Sequence, residues 1–407
     1  MGFADDRAGE FRASSPESQI PTPESRLADL VRERGPLTVA AFMEFALYDP
    51  AVGYYARAAQ RSGRAGDFFT SVDVGPLFGE LLAIQLAEMS HILQATSEPP
   101  EHAEKKTLSA NSAPSAVSAF DLVEAGAGNG RLSADILRAL RDRHPELYPH
   151  VRLHLIEASA AARDAQQAIL GDVRDRLSNA SGLLPESFEG VLVANELLDA
   201  LPVHQVVMGE DGLKETYVAA ARRTIEGPPS TPALQEYLDR LGVRLEPGWR
   251  VEINLRAIDW IRDAARRLTR GFIILIDYGH EARELYSASH AHGTLTTFSG
   301  HRTDATQGAA PWLERPGKQD ITAHVDFTSV RDAAEAAGLT TIAFLDQTYF
   351  VLGLVSAWNG AALAERARAL KTLLVPGGLG STHKVMIFGK AVGSPPLLGC
   401  SFGTRVT

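Results

Sequence analysis

One short stretch of the chain combines an acidic residue with closely spaced glycines, a pattern that suits the binding of a nucleotide-like ligand. Residues 121–136 read DLVEAGAGNGRLSADI. An apolar run ends in Glu124, three glycines follow at alternate positions, and the remainder can continue as a helix. A strand, a glycine turn and a helix in this order form the ligand-binding corner of a doubly wound α/β sheet. Alone, the turn is a weak signal, because an ordinary tight βα turn can have the same composition.

The glycine spacing indicates the ligand. A dinucleotide fingerprint needs a small residue where this chain has Arg131. The order here is E-x-G-x-G-x-G, the form typical of proteins that use S-adenosylmethionine (SAM) to transfer methyl groups. SAM has a methionine tail and an adenosine but no pyrophosphate, so a glycine-lined backbone beside an acid suits it. The residues expected to hold its methionine part are Glu124, Gly126, Gly128 and Gly130.

Polar residues also follow three further apolar runs. These runs read as strands buried on both faces of a parallel sheet: 151–157 (VRLHLIE), 191–196 (VLVANE) and 271–279 (GFIILIDYG). Ligands of such sheets lie at the carboxyl ends of the strands. Glu157 stands where an α/β site places a carboxylate on ribose hydroxyls. Each acid taken singly could be a loop carboxylate or a helix cap, but four such strand ends together predict one site.

Composition narrows the class of protein and of partner. The 407 residues include 40 Lys and Arg against 50 Asp and Glu, for a net charge of −10. There is no long basic run, so nucleic acid is not the expected partner, and a cationic substrate fits the acidic balance better. No apolar stretch reaches the length of a membrane span, and the first residues do not resemble a secretory signal. The expected location is the cytoplasm, and the oligomeric state stays open.

Cysteine and histidine usage bears on metals. The single cysteine, Cys400, excludes a disulfide or a cysteine-based metal site within one chain. The densest histidine group comprises His290, His292 and His301, with His324 further on. A metal site is conceivable there, but solvated loop histidines are the favoured interpretation, and no metal is predicted.

The chain divides by composition into seven parts. A polar N-terminal stretch predicts disorder, three helical patterns predict an N-terminal cap, and a Ser-, Ala- and Pro-rich stretch predicts a flexible insertion. The predicted parts are a disordered tail (1–23), a helical cap (24–94), the flexible insertion (95–119), the first part of a SAM-binding α/β core (120–211), an inserted β/α subdomain (212–250), the second part of the core with substrate-side loops (251–392) and a C-terminal tail (393–407).

Several longer motifs carry a resemblance to a known family. They are FMEFALYDPAVGYYA (42–56), GDFFTSVDVGPLFGELLAIQL (66–86), EAGAGNGRLSADIL (124–137), NELLDALPVHQ (195–205), IDYG (276–279) and QDITAHVDF (319–327). With these motifs the chain resembles the MidA-like SAM-dependent methyltransferases, bacterial relatives of the mitochondrial complex I assembly arginine methyltransferase. The resemblance extends from about residue 37 to about residue 390. The NE-x-x-DALP, GDF and DITAHVDF segments are more specific than the glycine turn.

The resemblance implies a doubly wound, seven-stranded, Rossmann-like methyltransferase sheet with a helical lid. It also implies a protein substrate, since the mitochondrial member symmetrically dimethylates an arginine of a complex I subunit. The segment SVDVG (71–75), the residues Ala127 and Asn129 and the segment LTTFSG (295–300) depart from the usual family pattern. Two alternatives therefore stay open: a small-molecule O- or N-methyltransferase, and a catalytically silent, SAM-binding assembly factor.

Site roles follow from the chemistry of methyl transfer to arginine. Carboxylates that fork onto a guanidinium would bind it and aim one nitrogen at the methyl group, and Glu196 and Asp199 are the candidates. Asp199 could equally cap a helix. His324 could accept a proton or be a structural histidine, so it is the third catalytic candidate.

The remaining site residues are expected around the cofactor and the substrate. Asn195, Asp67 and Thr70 are predicted to bind SAM. Asp67 and His324 are also expected on the wall opposite the strand ends, together with two further acids, Asp320 and Asp326. Asp326 could instead cap the helix that begins at Phe327. Tyr54 and Tyr55 could shape the substrate channel, with ordinary core packing favoured.

Overall fold

The structure is a computed structural model that describes residues 22–56, 69–95, 119–299, 302–303, 310–358, 365–375 and 379–403. Several predictions lie outside these residues: the disordered tail as far as residue 21, Asp67, residues 96–118 of the flexible insertion, His301 and the last four residues of the C-terminal tail. Among the residues that the structure describes, no helix combines the length and apolar character needed to cross a bilayer.

Helices and strands alternate through most of the described chain. The helices are α1 (Pro23–Arg34), α2 (Val39–Tyr48), α3 (Leu77–Ala95), α4 (Arg131–Arg143), α5 (Ala160–Leu170), α6 (Ala233–Leu241), α7 (Leu255–Arg267), α8 (Ala282–Leu285), α9 (Phe327–Ala336), α10 (Gln347–Ser356), α11 (Ala367–Leu374) and α12 (Leu379–Thr382). The strands are β1 (Leu37–Thr38), β2 (Phe120–Ala125), β3 (Val151–Ile156), β4 (Leu177–Ser181), β5 (Phe188–Asn195), β6 (His204–Gly209), β7 (Gly212–Ala219), β8 (Arg223–Gly227), β9 (Arg250–Ile253), β10 (Leu268–His280), β11 (Thr296–Ser299), β12 (Arg302–Thr303), β13 (Asp320–Thr322), β14 (Val325–Asp326), β15 (Thr340–Asp346) and β16 (His383–Lys390).

The larger sheet confirms the predicted α/β class. Seven strands follow the order β15-β16-β10-β5-β2-β3-β4, and the two-residue β14 pairs with β10 as an eighth. The strands from β10 to β4 run parallel, whereas β16 runs antiparallel to both β10 and β15. The sheet is therefore mixed, with the carboxyl ends of β2, β3, β5 and β10 at one edge.

Helices cover both faces of this sheet, so its central strands are buried throughout. One core cluster joins the sheet to α3, α4 and α10, and the other joins it to α6, α7 and α9. This burial explains why 191–194 is continuously apolar rather than alternating. Each Leu, Ile or Val side chain buried in this way contributes roughly 1.5–3 kcal/mol to the free energy of unfolding.

A second, smaller sheet contains strands from inside and outside the predicted inserted subdomain. Its order is β1-β7-β6-β9, with β8 paired to β7. β6 falls in the predicted core part 120–211, yet it pairs with β7 and β9, because a two-residue turn at Glu210 and Asp211 makes β6 and β7 a hairpin. The second sheet therefore includes β6 and also takes in β1 from the N-terminal segment.

The N-terminal helices do not pack as one unit. Thr38 caps α2, as its hydroxyl accepts the backbone N–H of Ala41. α1 and α2 share a third core cluster with Val203 and Val218 of the second-sheet region and with Trp312. α3 instead packs on the larger sheet beside α4. The predicted cap at 24–94 is therefore divided between the two sheets.

Candidate active site

A cavity of about 600 Å³ opens at the carboxyl ends of β2, β3 and β5. Its lining brings together most of the predicted site: Thr70, Glu124, Gly126, Gly128, Glu157, Asn195 and Glu196. The volume lies within the range of roughly 300–1,000 Å³ that small-molecule sites occupy. A larger hollow of about 960 Å³ beside α3 and Trp358 contains none of the predicted site residues. We therefore assign the site to the smaller cavity.

The glycine turn needs its glycines for conformation and for space. Gly126, Gly128 and Gly130 all have positive φ, at 72°, 50° and 83°. A Cβ on Gly126 would lie 3.1 Å from Cδ1 of Leu197, and one on Gly130 would lie 3.2 Å from Cδ1 of Leu155. Larger residues would strain the backbone and displace these neighbours. Gly130 then precedes α4 in a left-handed conformation.

Glu157 fastens this turn to the end of β3. One carboxylate oxygen accepts the backbone N–H of Gly128 at 2.8 Å, and the other accepts that of Ser159 at 2.7 Å. The carboxylate lines the cavity, as a ribose-binding acid would. Each oxygen retains a further lone pair for a ligand hydroxyl.

Glu124 lies within β2 rather than after it, and its side chain is buried. Its Oε2 accepts the Ser133 backbone N–H at 3.2 Å and also a short hydrogen bond from the Ser133 hydroxyl. Burial raises the pKa of Glu124 to about 7, although these hydrogen bonds oppose the rise. The carboxyl group thus ties β2 to the first turn of α4 at the cavity wall.

Thr70 belongs to a polar unit on the facing wall. Its backbone N–H and hydroxyl donate to Oδ2 of Asp73, at 2.9 and 3.0 Å. The other oxygen of Asp73 pairs closely with the guanidinium of Arg131, which also lines the cavity. The Nε of Arg131 is buried and has no hydrogen-bond partner among the described residues.

Glu196 adopts an unusual backbone conformation immediately after β5. Its φ is 51°, a region that non-glycine residues rarely occupy and that concentrates at functional sites. Its Oε1 accepts the amide of Asn195 at 3.2 Å and lies 3.7 Å from Nε2 of His383. The Oδ1 of Asn195 is buried with no partner among the described residues, although Asn195 lines the cavity.

Asp199 is buried beside Asp277, below the turn that carries Glu196. Oδ2 of Asp277 accepts the backbone N–H groups of Leu197, Leu198 and Asp199, at 3.2, 2.8 and 3.3 Å. Burial and the neighbouring Asp277 carboxylate raise the pKa of Asp199 well above its usual range. Burial raises the pKa of Asp277 to about 7, against the effect of the Leu198 N–H. Asp199 itself is not among the residues that line the cavity.

Tyr278 separates Asp199 from a group of histidines. The buried Tyr278 hydroxyl faces Asp199, and its ring packs edge-on against His324, with ring centroids 5.5 Å apart. Burial lowers the pKa of His324 to about 4, and His280 and His290 add to this effect. The structure therefore places His324 behind Tyr278, with two other histidines, rather than on the cavity wall.

The remaining candidates have clear positions. Asp326 caps α9 by accepting the N–H groups of Thr328 and Ser329, as its alternative role predicted. Tyr54 is a fully buried core residue, whereas Tyr55 lines the cavity and donates to Oδ1 of Asp320 at 2.7 Å.

Several residues of the site were not singled out from the sequence. Glu44 and Tyr48 reach the cavity from α2, and Tyr48 donates to the carbonyl of Ala200 at 3.0 Å. Asp277, by contrast, was expected at the ligand-binding edge of the sheet, because it stands at a strand end within the IDYG motif, and it organises the turn below Glu196. The pairing of Arg131 with Asp73 joins positions far apart in sequence and gave no local signal.

Comparisons with known proteins agree with this geometry. A family model described as "Putative S-adenosyl-L-methionine-dependent methyltransferase" matches residues 103–345, more than half of the chain. The mouse protein arginine methyltransferase NDUFAF7, mitochondrial, is 29% identical over 351 residues, covering 78% of this chain and 71% of the mouse protein. The human counterpart is 28% identical over 336 residues, covering 75% and 67%.

Solved structures extend the similarity to nearly the whole chain. A protein of Burkholderia thailandensis bound to S-adenosyl-homocysteine has 27% sequence identity and a TM-score of 0.79, covering 94% of this chain and 95% of that one. A second crystal structure from the same organism has 25% identity and a TM-score of 0.75.

Proposed function

Because this chain belongs to the MidA-like family of S-adenosylmethionine-dependent methyltransferases, we propose that it methylates an arginine side chain of a protein. The use of SAM and the methyl-transfer activity come with the family. The arginine acceptor is our proposal. It draws on relatives that are named protein arginine methyltransferases and on the distribution of acidic groups around the cavity.

The residues present fit SAM. Gly128 of the turn lines the cavity with open space beside it, Glu157 presents a carboxylate, and the buried Oδ1 of Asn195 lacks a donor among the described residues. In our proposal Glu157 accepts the ribose hydroxyls, and Arg131, with its unpartnered Nε, binds the carboxylate of the methionine tail. SAM supplies a methyl group already activated on a positively charged sulfur.

The acidic groups behind the turn are the observation that carries the arginine proposal. Asp199 and Asp277 are buried side by side, and neither forms an ion pair with a lysine or arginine of the described chain. Glu196 stands above them at the cavity. Burial keeps the pKa values of both acids raised, and a substrate guanidinium held by Glu196 would favour their ionised forms, because an opposite charge nearby lowers the pKa of a carboxyl group.

In our proposal Glu196 orients the guanidinium and takes up its proton. A guanidinium nitrogen that gains a methyl group must release one proton, and Glu196 is the cavity-lining carboxylate that directly follows β5. Ser71 N–H approaches Glu196 Oε1 at 3.4 Å, and Asn195 donates to the same oxygen. These contacts hold Oε1 and leave Oε2 for the substrate.

We further propose that α1 and α2 act as a cap on the substrate side, because Tyr48 and Tyr55 close the cavity from that segment.

The test is incubation of the purified protein with methyl-labelled SAM and lysate of its own host, resolved by size. We expect one labelled protein band, with the label mapped to arginine by mass spectrometry. Glu196→Gln should lose the labelling while SAM binding, measured by calorimetry, stays within about twofold. Glu186→Gln is the matched control, since Glu186 is exposed and is not among the residues that line the cavity.

Other outcomes would overturn parts of the proposal. Label found only in small molecules would replace the protein acceptor with a metabolite. Label on another side chain would remove arginine. Absence of label despite measured SAM binding would indicate an assembly factor without activity. Full labelling by Glu196→Gln would remove the role of Glu196.

A further inference from the structure

Three histidines from separate parts of the chain meet behind Tyr278. His280 ends β10, His290 ends the short helical turn Ala288–His290, and His324 lies between β13 and β14. Their ring centroids are 4.9 Å (His280 and His290), 5.3 Å (His280 and His324) and 5.8 Å (His290 and His324) apart. One ring nitrogen from each lies within 4.8 Å of the other two.

The hydrogen bonding of these rings leaves nitrogen lone pairs unused. Nδ1 of His324 is buried and forms no hydrogen bond within the described chain, whereas the buried Nδ1 of His280 has the Glu284 carboxylate 3.1 Å away. Buried polar atoms of folded proteins are otherwise nearly always partnered. An unpartnered imidazole nitrogen beside two further histidine rings indicates a ligand shared by the cluster.

His290 shows the arrangement that metal-binding histidines adopt. Its Nδ1 lies 3.1 Å from the carbonyl oxygen of Glu284, to which a protonated Nδ1 donates. A backbone carbonyl in this position fixes the tautomer and leaves Nε2 with its lone pair, and this second hydrogen bond is typical of histidines that bind a metal. The carboxylate of Glu284 lies 3.1 Å from Nδ1 of His280, at the exposed side of the cluster.

We propose that His280, His290 and His324 form a binding site for a divalent transition-metal ion, for which Zn²⁺ is the best match. Imidazole nitrogen is a preferred zinc ligand, and three histidines with one further position for solvent give tetrahedral coordination. Nitrogens bound at about 2.1 Å to a tetrahedral ion stand about 3.4 Å apart, so small side-chain rotations complete the site. Magnesium, which requires oxygen ligands, does not suit this donor set.

The three-histidine site lies outside the proposed SAM cavity, so a metal ion bound there would stabilise the cavity wall and would not contact the reacting atoms. None of the three histidines lines the cavity. They join β10, the Ala288–His290 turn and the segment that carries Asp320, and His324 supports the ring of Tyr278. A bound ion would fix these segments to one another and hold Tyr278 against Asp199.

The test is Zn²⁺ titration of the full-length protein after treatment with a chelator and its removal. We expect one ion per chain by calorimetry, a midpoint of thermal unfolding raised by several degrees at saturating Zn²⁺, and no response to Mg²⁺. His290→Ala and His324→Ala should each weaken Zn²⁺ binding at least tenfold. His292→Ala, an exposed histidine two positions from His290, should bind as the unmodified chain does.

Spectroscopy and SAM affinity keep the test independent of folding. Co²⁺ in place of Zn²⁺ should give the intense visible absorption of tetrahedral coordination, and His290→Ala should lose it. That variant should keep the SAM affinity of the unmodified chain, which shows that it is folded. The metal-site proposal would be overturned if the unmodified chain failed to bind Zn²⁺, or if His290→Ala and His324→Ala bound Zn²⁺ as tightly as the unmodified chain does. Neither result would affect the methyltransferase proposal.

Discussion

Oδ2 of Asp277 lies 2.8 Å from the backbone nitrogen of Leu198 and accepts its hydrogen bond. The same oxygen also accepts the backbone N–H groups of Leu197 and Asp199, so one carboxylate on β10 stabilises the turn that carries Glu196. A buried acid at this point is costly when ionised, as its raised pKa of about 7 indicates. Three backbone donors that would otherwise be buried without partners offset this cost.

We expect Asp277→Ala to unfold more easily and to lose methyl transfer. Each buried N–H left without an acceptor costs about 1–3 kcal/mol, so the free energy of unfolding should fall by on the order of 3 kcal/mol. Urea unfolding and the lysate labelling assay measure the two effects. Asp277→Asn retains an acceptor oxygen and should stay closer to the unmodified stability. Wild-type transfer rates in Asp277→Ala would show that the turn does not depend on this residue.

Glu157→Ala should weaken SAM binding by about ten- to a hundredfold. Hydrogen bonds to a charged group contribute about 1.5–3 kcal/mol, and the change also removes the acceptor for the Gly128 N–H. Calorimetric titration with SAM measures the dissociation constant. Asp164→Ala, an exposed acid on α5, is the control and should bind SAM normally. Unchanged affinity in Glu157→Ala would reject Glu157 as a cofactor ligand.

Glu124 should give the protein a stability that declines with rising pH. Its pKa is raised to about 7 in the folded chain from an ordinary 4.5, so the folded state binds the proton more tightly. The free energy of unfolding should therefore fall between about pH 5 and pH 7, by up to about 3 kcal/mol, and level off above.

The Glu124→Gln variant should have a flatter dependence of unfolding free energy on pH. Urea unfolding at a series of pH values from 5 to 8 measures it. Part of the decrease in unfolding free energy with pH should persist in this variant, because the pKa of Asp277 is also raised in the folded chain. The exposed Glu186→Gln should reproduce the unmodified curve. An identical slope in Glu124→Gln would mean that the carboxyl group is not protonated in the folded state.

Lys384→Met should be among the most destabilising single changes in the larger sheet. Nζ of Lys384 lies 2.5 Å from Oδ1 of Asp346, and both side chains are 1% exposed. Removal of one partner from a buried ion pair costs about 3–5 kcal/mol, because the other charge stays buried. Adding Asp346→Asn should restore at least about 1 kcal/mol in urea unfolding. A loss below about 1 kcal/mol in Lys384→Met would contradict this.

The sequence alone predicts the local elements of the site, but it does not predict which distant segments come together around them. The strand ends at Glu157 and Asn195 and the glycine turn follow from apolar runs and glycine spacing, which are local signals. His324 shows the limit, since only the fold places it beside His280 and His290 instead of in the cavity. Hydrophobic pattern specifies which face of an element is buried, but not which distant segment will cover it.

The same limit explains the second sheet. The run at 204–209 has the composition of a buried strand, and nothing in it specifies a partner. Only the structure shows that the chain turns at Glu210 and Asp211, so that β6 pairs with β7. The N-terminal strand β1 is two residues long and carried no strand pattern of its own.

That two-residue strand also sets an order of events at the ribosome. Leu37 pairs with Val218, about 180 residues later in the chain. At the usual pace of synthesis, roughly 10 to 40 s separate the emergence of the two. During this interval α2 can pack only against α1, and its core cluster is complete only once Val218 and the later segment that carries Trp312 have been translated.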